Sequence, residues 1–92
     1  MLYVIHCVDK LGHLQVRLDN RTDHLEHLKS YGDKLFAAGP TLDEGEGMNG
    51  SVVILDLDNR ADAQDFADRD PYALAGLFES VTISTWKKVL PA

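Results

Sequence analysis

His24 and Asp70 are the residue types from which an acid–base pair is built. A carboxylate within hydrogen-bond reach of an imidazole fixes its tautomer and stabilises the protonated ring, which suits the ring to proton transfer. Asp70 precedes Pro71, and the residue before a proline is pushed out of the helical region, so a helix must stop there. A carboxylate at a helix C-terminus sits where the macrodipole prefers a cation, and a residue that breaks a local rule is a candidate for function. Arg17 and Arg21 flank the same region. Guanidinium forks suit an anionic substrate, and the plain alternative is a pair of surface charges. Ser51 has no activating base near it in sequence and reads as a hydrogen-bond donor rather than a nucleophile.

Other candidates carry bland readings beside the functional ones. His24-x-x-His27 places two imidazoles on one helical turn, but two ligands do not make a metal site and no third His or Cys is suitably spaced. His6 could reach a pocket between sheets, but reads rather as a hydrogen-bonded core histidine. Tyr72 and Trp86 read as core or dimer contacts rather than ligand platforms. Cys7 is the only cysteine of the chain and reads as a small buried hydrophobe in a reducing compartment. Neither a metal nor an organic cofactor is expected.

The elements that must position these residues follow from the apolar pattern. Leu2–Val8 is a nearly continuous apolar run, the mark of a central strand covered on both faces. Residues 9–19 are polar, contain Gly12 and read as a loop. Residues 21–35 read as a helix with Leu25, Leu28 and Leu35 on one face. At 100° per residue His24 lies about 40° from Leu28, so it leans toward the buried side from the first turn. Residues 36–39 read as a short strand stopped by Gly39-Pro40, residues 41–49 as a flexible glycine-rich hairpin, and residues 50–57 as a second strongly apolar strand. Asn59 caps the next helix, with Asp62 placed as in a capping box and Ala63, Phe66 and Ala67 facing inward. Tyr72–Leu77 reads as a turn or half-helix, and residues 78–89 as a final strand.

The order βαββαβ predicts a ferredoxin-like α+β fold, a four-stranded antiparallel sheet with the helices on one face, formed by residues 1–92 as one domain. If the first strand runs upward, the first long helix starts at the top, the hairpin turns at the top and the last helix ends there. The 9–19 loop, His24, the hairpin leading into Ser51, and Asp70 therefore meet on one rim, where mobile loops could admit and cover a small molecule. A structural salt bridge between helices is the competing account of the His24–Asp70 pair.

Composition bounds the partners. The net charge is −6 with no basic cluster, which argues against nucleic acid. No apolar run approaches the length of a membrane span, and a soluble cytoplasmic protein is expected. A chain of 92 residues buries a modest fraction of its surface, so a partner subunit would help it.

Leu2-Tyr-Val-Ile5, Arg17-Leu-Asp-Asn-Arg-Thr-Asp-His24, Ala38-Gly-Pro40, Gly50-Ser-Val-Val-Ile54, Asp70-Pro-Tyr72 with Ala75-Gly76, and Trp86-Lys-Lys-Val89 together resemble the YciI-like family, along essentially the whole chain. The resemblance implies a ferredoxin-like fold that dimerises into an α+β barrel, with the open sheet faces joined. It also implies a site centred on a His–Asp pair matching His24 and Asp70, with Ser51 matching the serine that begins the third strand. Some relatives are lyase-like enzymes acting on chlorinated hydroxyquinones, while most have no assigned reaction. The hairpin is shorter than in many relatives, so no substrate carries over. The expected function is a small-molecule enzyme, lyase- or hydrolase-like. The alternatives are a non-catalytic dimeric binding or accessory module, and a haem-dependent oxygenase of the wider barrel group.

Overall fold

A computed structural model describes residues 1–92. Strand β1 (Leu2–Asp9) leads to a short helix α1 (Leu14–Asp19), then α2 (Arg21–Lys29), β2 (Leu35–Leu42), β3 (Met48–Asp56), α3 (Arg60–Arg69), α4 (Pro71–Leu74) and β4 (Phe78–Trp86). The four strands form one sheet in the order β2-β3-β1-β4, with every neighbouring pair antiparallel. This is the ferredoxin-like α+β arrangement, and β1 is the central strand that its apolar run predicts.

Alternation along β1 divides the sheet into two faces. Tyr3, Ile5 and Cys7 are buried under the helices with Val53, Leu55, Leu28, Phe66 and Ile83. Leu2, Val4, His6 and Val8 point to the other face, together with Val52 and Ile54, which lie opposite His6 and Val4 on β3. No helix covers that face. Val8 is exposed and Val4 and Ile54 are half-buried. His6 is exposed there and its side chain makes no hydrogen bond, which overturns its reading as a core histidine.

The helix expected over residues 21–35 is shorter than its pattern implies. It ends at Lys29, because Gly32 takes a left-handed φ of 54° and a short 3₁₀ turn carries the chain into β2 at Leu35. Leu35 therefore belongs to the sheet, and of the helix's two leucines Leu25 is exposed and Leu28 is buried. Strand β2 runs through Gly39-Pro40 rather than stopping there. It is an edge strand, where one row of backbone groups has no ladder partner and a proline is tolerated.

The β2–β3 hairpin is tighter than its glycines suggest. Asp43 Oδ1 accepts hydrogen bonds from the backbone N–H groups of Gly45 and Gly47, each at 2.9 Å, and Asp43 N–H donates to the Gly47 carbonyl at 2.8 Å. An Asp that bonds its own turn closes the loop without apolar contacts. The predicted cap of α3 is present, with Asn59 Oδ1 accepting from Asp62 N–H at 2.9 Å.

Candidate active site

At the rim where β1 ends, three buried polar side chains and one buried arginine converge. Arg17, His24, Ser51 and Asp70 are 2%, 6%, 2% and 2% exposed. In a chain this small such groups stay buried only when hydrogen-bonded, and each of them is.

The α3–α4 junction positions Asp70. It closes α3 and, with an extended backbone, is also the N-cap of α4, its Oδ1 accepting from Tyr72 N–H at 2.9 Å. Pro71 occupies the first helical position, where its missing N–H costs nothing. The expectation of a carboxylate misplaced at a helix C-terminus is thereby corrected, since the same residue begins a second helix and its charge faces an N-terminus.

The first turn of α2 positions His24. Its Nδ1 lies 2.9 Å from Asp70 Oδ1, and both side chains are buried. A carboxylate offers no proton, so the imidazole Nδ1–H is the donor, and Nε2 is the ring nitrogen that Asp70 does not hold. The ring of Tyr72 stacks on His24 with centroids 3.9 Å apart and planes 15° from parallel. Three contacts thus fix one imidazole: a hydrogen bond, a stacked ring and the helix that carries it.

Arg17 stands apart from both readings given to it. Residues 14–19 are helical rather than loop, and Arg17 is the buried residue of that helix, not a surface charge. Its Nε and Nη2 donate to the two carboxylate oxygens of Asp9 at 2.8 and 2.9 Å, and Nη2 also donates to Ser51 Oγ at 2.9 Å. The guanidinium carbon lies 4.6 Å from the centre of the Tyr72 ring. Burial lowers the guanidinium pKa, but the hydrogen bonds and charge of Asp9, with help from Tyr72, outweigh this and leave it raised. Burial likewise raises the Tyr72 phenol, which Arg17 and Arg21 only partly oppose, so the phenol stays protonated near neutral pH. Ser51 accepts from Arg17 and keeps its own O–H to donate.

Between α2 and β2 these groups open onto a cleft of about 190 Å³. Arg17, Arg21, His24, Ser51 and Tyr72 supply its polar lining, while Leu28, Val53, Pro40 and Met48 contribute to the rest. It is smaller than a drug-sized pocket and suits a molecule of one ring. Every residue singled out from sequence for this rim is therefore in the cleft or, for Asp70, directly behind it. Asp9 and Tyr72 were missed as site residues. Nothing in the spacing marks Asp9 as the partner of Arg17, but the position of Tyr72 in Asp70-Pro-Tyr is a signal that the cap geometry explains.

His27 turns away from His24. Its Nε2 bonds the Phe66 carbonyl at 3.0 Å and its ring stacks on Phe66, so the two imidazoles do not converge as ligands.

A family model for the YCII-related domain matches residues 1–87. The chain belongs to the YCII-related family. It is 40% identical over 97 aligned positions to "Protein YciI" of Escherichia coli O6:H1 and to "Protein YciI" of Shigella flexneri, covering 97% of this chain and 99% of each relative. Among solved structures it is similar to 5-chloro-2-hydroxyhydroquinone dehydrochlorinase (TftG) from Burkholderia phenoliruptrix, in complex with 2,5-dihydroxybenzoquinone. That similarity has 35% identity and a TM-score of 0.87, covering 95% of this chain and 94% of that one. A weaker likeness, TM-score 0.64 at 11% identity over 99% and 97% of the two chains, to the cofactor-independent oxygenase SnoaB of Streptomyces nogalater shows the shared fold alone. The YCII-related assignment agrees with the resemblance read from the sequence motifs.

Proposed function

We propose that this YCII-related protein is a small-molecule enzyme in which His24 transfers a proton and Asp70 orients it. The observation that carries the reading is the buried 2.9 Å bond between His24 Nδ1 and Asp70, on the wall of a ring-sized cleft. With Nδ1–H held by the carboxylate, Nε2 is the atom that takes a proton from substrate, and the adjacent negative charge stabilises the imidazolium that forms. In an elimination the C–H electron pair forms the new π bond as the leaving group departs with its own pair; in a hydrolysis Nε2 takes the proton from an attacking water instead. Ser51 and Arg17 donate hydrogen bonds to a substrate oxygen, and Arg21 contributes at the mouth. The TftG likeness, a dehydrochlorinase by name, supports an elimination more than a hydrolysis.

The assay is turnover of a panel of small hydroxylated and halogenated aromatics by wild type, His24→Ala and Asp70→Asn. General acid–base groups contribute about 10²- to 10⁴-fold, so His24→Ala loses at least about a hundredfold in kcat. Asp70→Asn loses activity as well, because an amide can hold the imidazole in the wrong tautomer. Wild-type turnover in both variants removes the reading. Turnover of no compound by any of the three favours the alternative of a binding or accessory module in which the pair serves structure.

We also propose that the protein is a homodimer through the open sheet face. The apolar residues of β1 and β3 on that face have no cover within the chain, and a second copy of the same face supplies one.

A further inference from the structure

We infer that the cleft selects a small anion, and that Arg21, rather than Arg17, is the residue that reads its charge. This rests on the reading of the cleft as the substrate site and assigns the class of molecule it takes.

The chain carries 15 acidic residues and a net charge of −6, yet no Asp or Glu lines the cleft. Two arginines and His24 do. The two nearby carboxylates are each already engaged. Asp9 holds both of its oxygens against Arg17, and Asp70 lies behind His24 with Oδ1 shared between the imidazole and the Tyr72 amide.

The two arginines are not equivalent. Arg17 is buried and bidentate to Asp9, and its Nη2 also holds Ser51, so its charge is balanced before any ligand arrives and it offers a substrate only a hydrogen bond. Arg21 makes no ion pair and no side-chain hydrogen bond, and it is exposed at the mouth of the cleft. It is the first residue of α2, where the macrodipole disfavours a cation, and Asp23 in the same turn is not paired with it. An unbalanced guanidinium held against that preference, beside a cleft cleared of acids, is placed to meet a carboxylate, enolate or phenolate. The volume of about 190 Å³ and the partly apolar lining limit the body of that anion to about one ring.

The test uses two probes of nearly the same shape, benzoate and benzamide, titrated into the full chain and followed by the backbone amide resonances of Gly39 and Ser51. Benzoate binds about tenfold or more tightly than benzamide, the scale of one hydrogen bond to a charged group. Arg21→Gln brings the two affinities together, Arg21→Lys restores part of the difference, and Arg60→Gln, at an exposed arginine outside the cleft, leaves it unchanged. Equal affinities in the wild type, no binding of benzoate, or a preference that survives Arg21→Gln overturns the inference. His24→Ala and Asp70→Asn are read by turnover rather than by these probes. Failure of the acid–base reading therefore shows in turnover with charge selectivity intact, and failure of this inference shows in the probes with dependence on His24 intact.

Discussion

A single atom, Asp70 Oδ1, accepts from both the Tyr72 amide and the His24 imidazole, and Tyr72 in turn stacks on His24 and lies under Arg17. The imidazole is therefore oriented by a group that is itself fixed by the backbone. Cys7 lies under the same cluster and shows what burial does to a group with no such partner. Burial, reinforced by the charges of Asp70 and Asp9 and opposed by Arg17, pushes its thiol up to about 12 from an ordinary 9.0. The folded state thus holds that proton more tightly than the unfolded chain does. Its contribution to stability is intact below pH 9.0 and is lost as pH rises from there toward about 12. Chemical denaturation across that range should show a shallower alkaline decline for Cys7→Ala than for wild type, once each is referenced to its own stability at pH 7. Parallel declines would mean that the thiol does not titrate in this way.

At the scale of elements, the rim is assembled by the ends of structures rather than by their faces, and that governs what sequence could reveal. The α3 cap, the buried Ala63–Phe66–Ala67 face and the central strand follow from spacing and type, because period and cap chemistry are local. The helix at residues 14–19 does not. Its Leu14 and Leu18 are exposed and its buried residue is an arginine, so apolar periodicity carries no sign of it. His24 and Asp70 could be brought together from topology alone, whereas the Asp9–Arg17–Ser51 chain depends on a side-chain geometry that no periodicity encodes. The β2–β3 pairing holds a related constraint at Gly50. A Cβ there would clash with the Cys7 carbonyl oxygen of β1 and lie 2.6 Å from Thr41 Oγ1. One of those contacts is backbone and cannot swing aside. Gly50→Ala should cost about 1–3 kcal/mol, the range for overpacking a well-filled site, read as a lower midpoint in urea. An unchanged midpoint would show that the strands separate there at no cost.

For the whole molecule, the uneven distribution of cover is the governing fact. One face of the sheet carries all the helices and the cleft, while the other presents Val4, Val8, Val52 and Ile54 around an unpaired His6. Light scattering at micromolar concentration should give the mass of two chains, and Val52→Glu, placing a charge in the middle of that face, should give the mass of one. A wild-type monomer would count against the pairing. The chain also places its chemistry and its continuity in one residue. Asp70 ends one helix, begins the next and holds the imidazole, so a substitution there disturbs the path of the chain together with the proposed reaction. Within a cell, where loss of about 1–2 kcal/mol is enough to change how much of a protein survives proteolysis, a variant at this position would be scarce as well as slow.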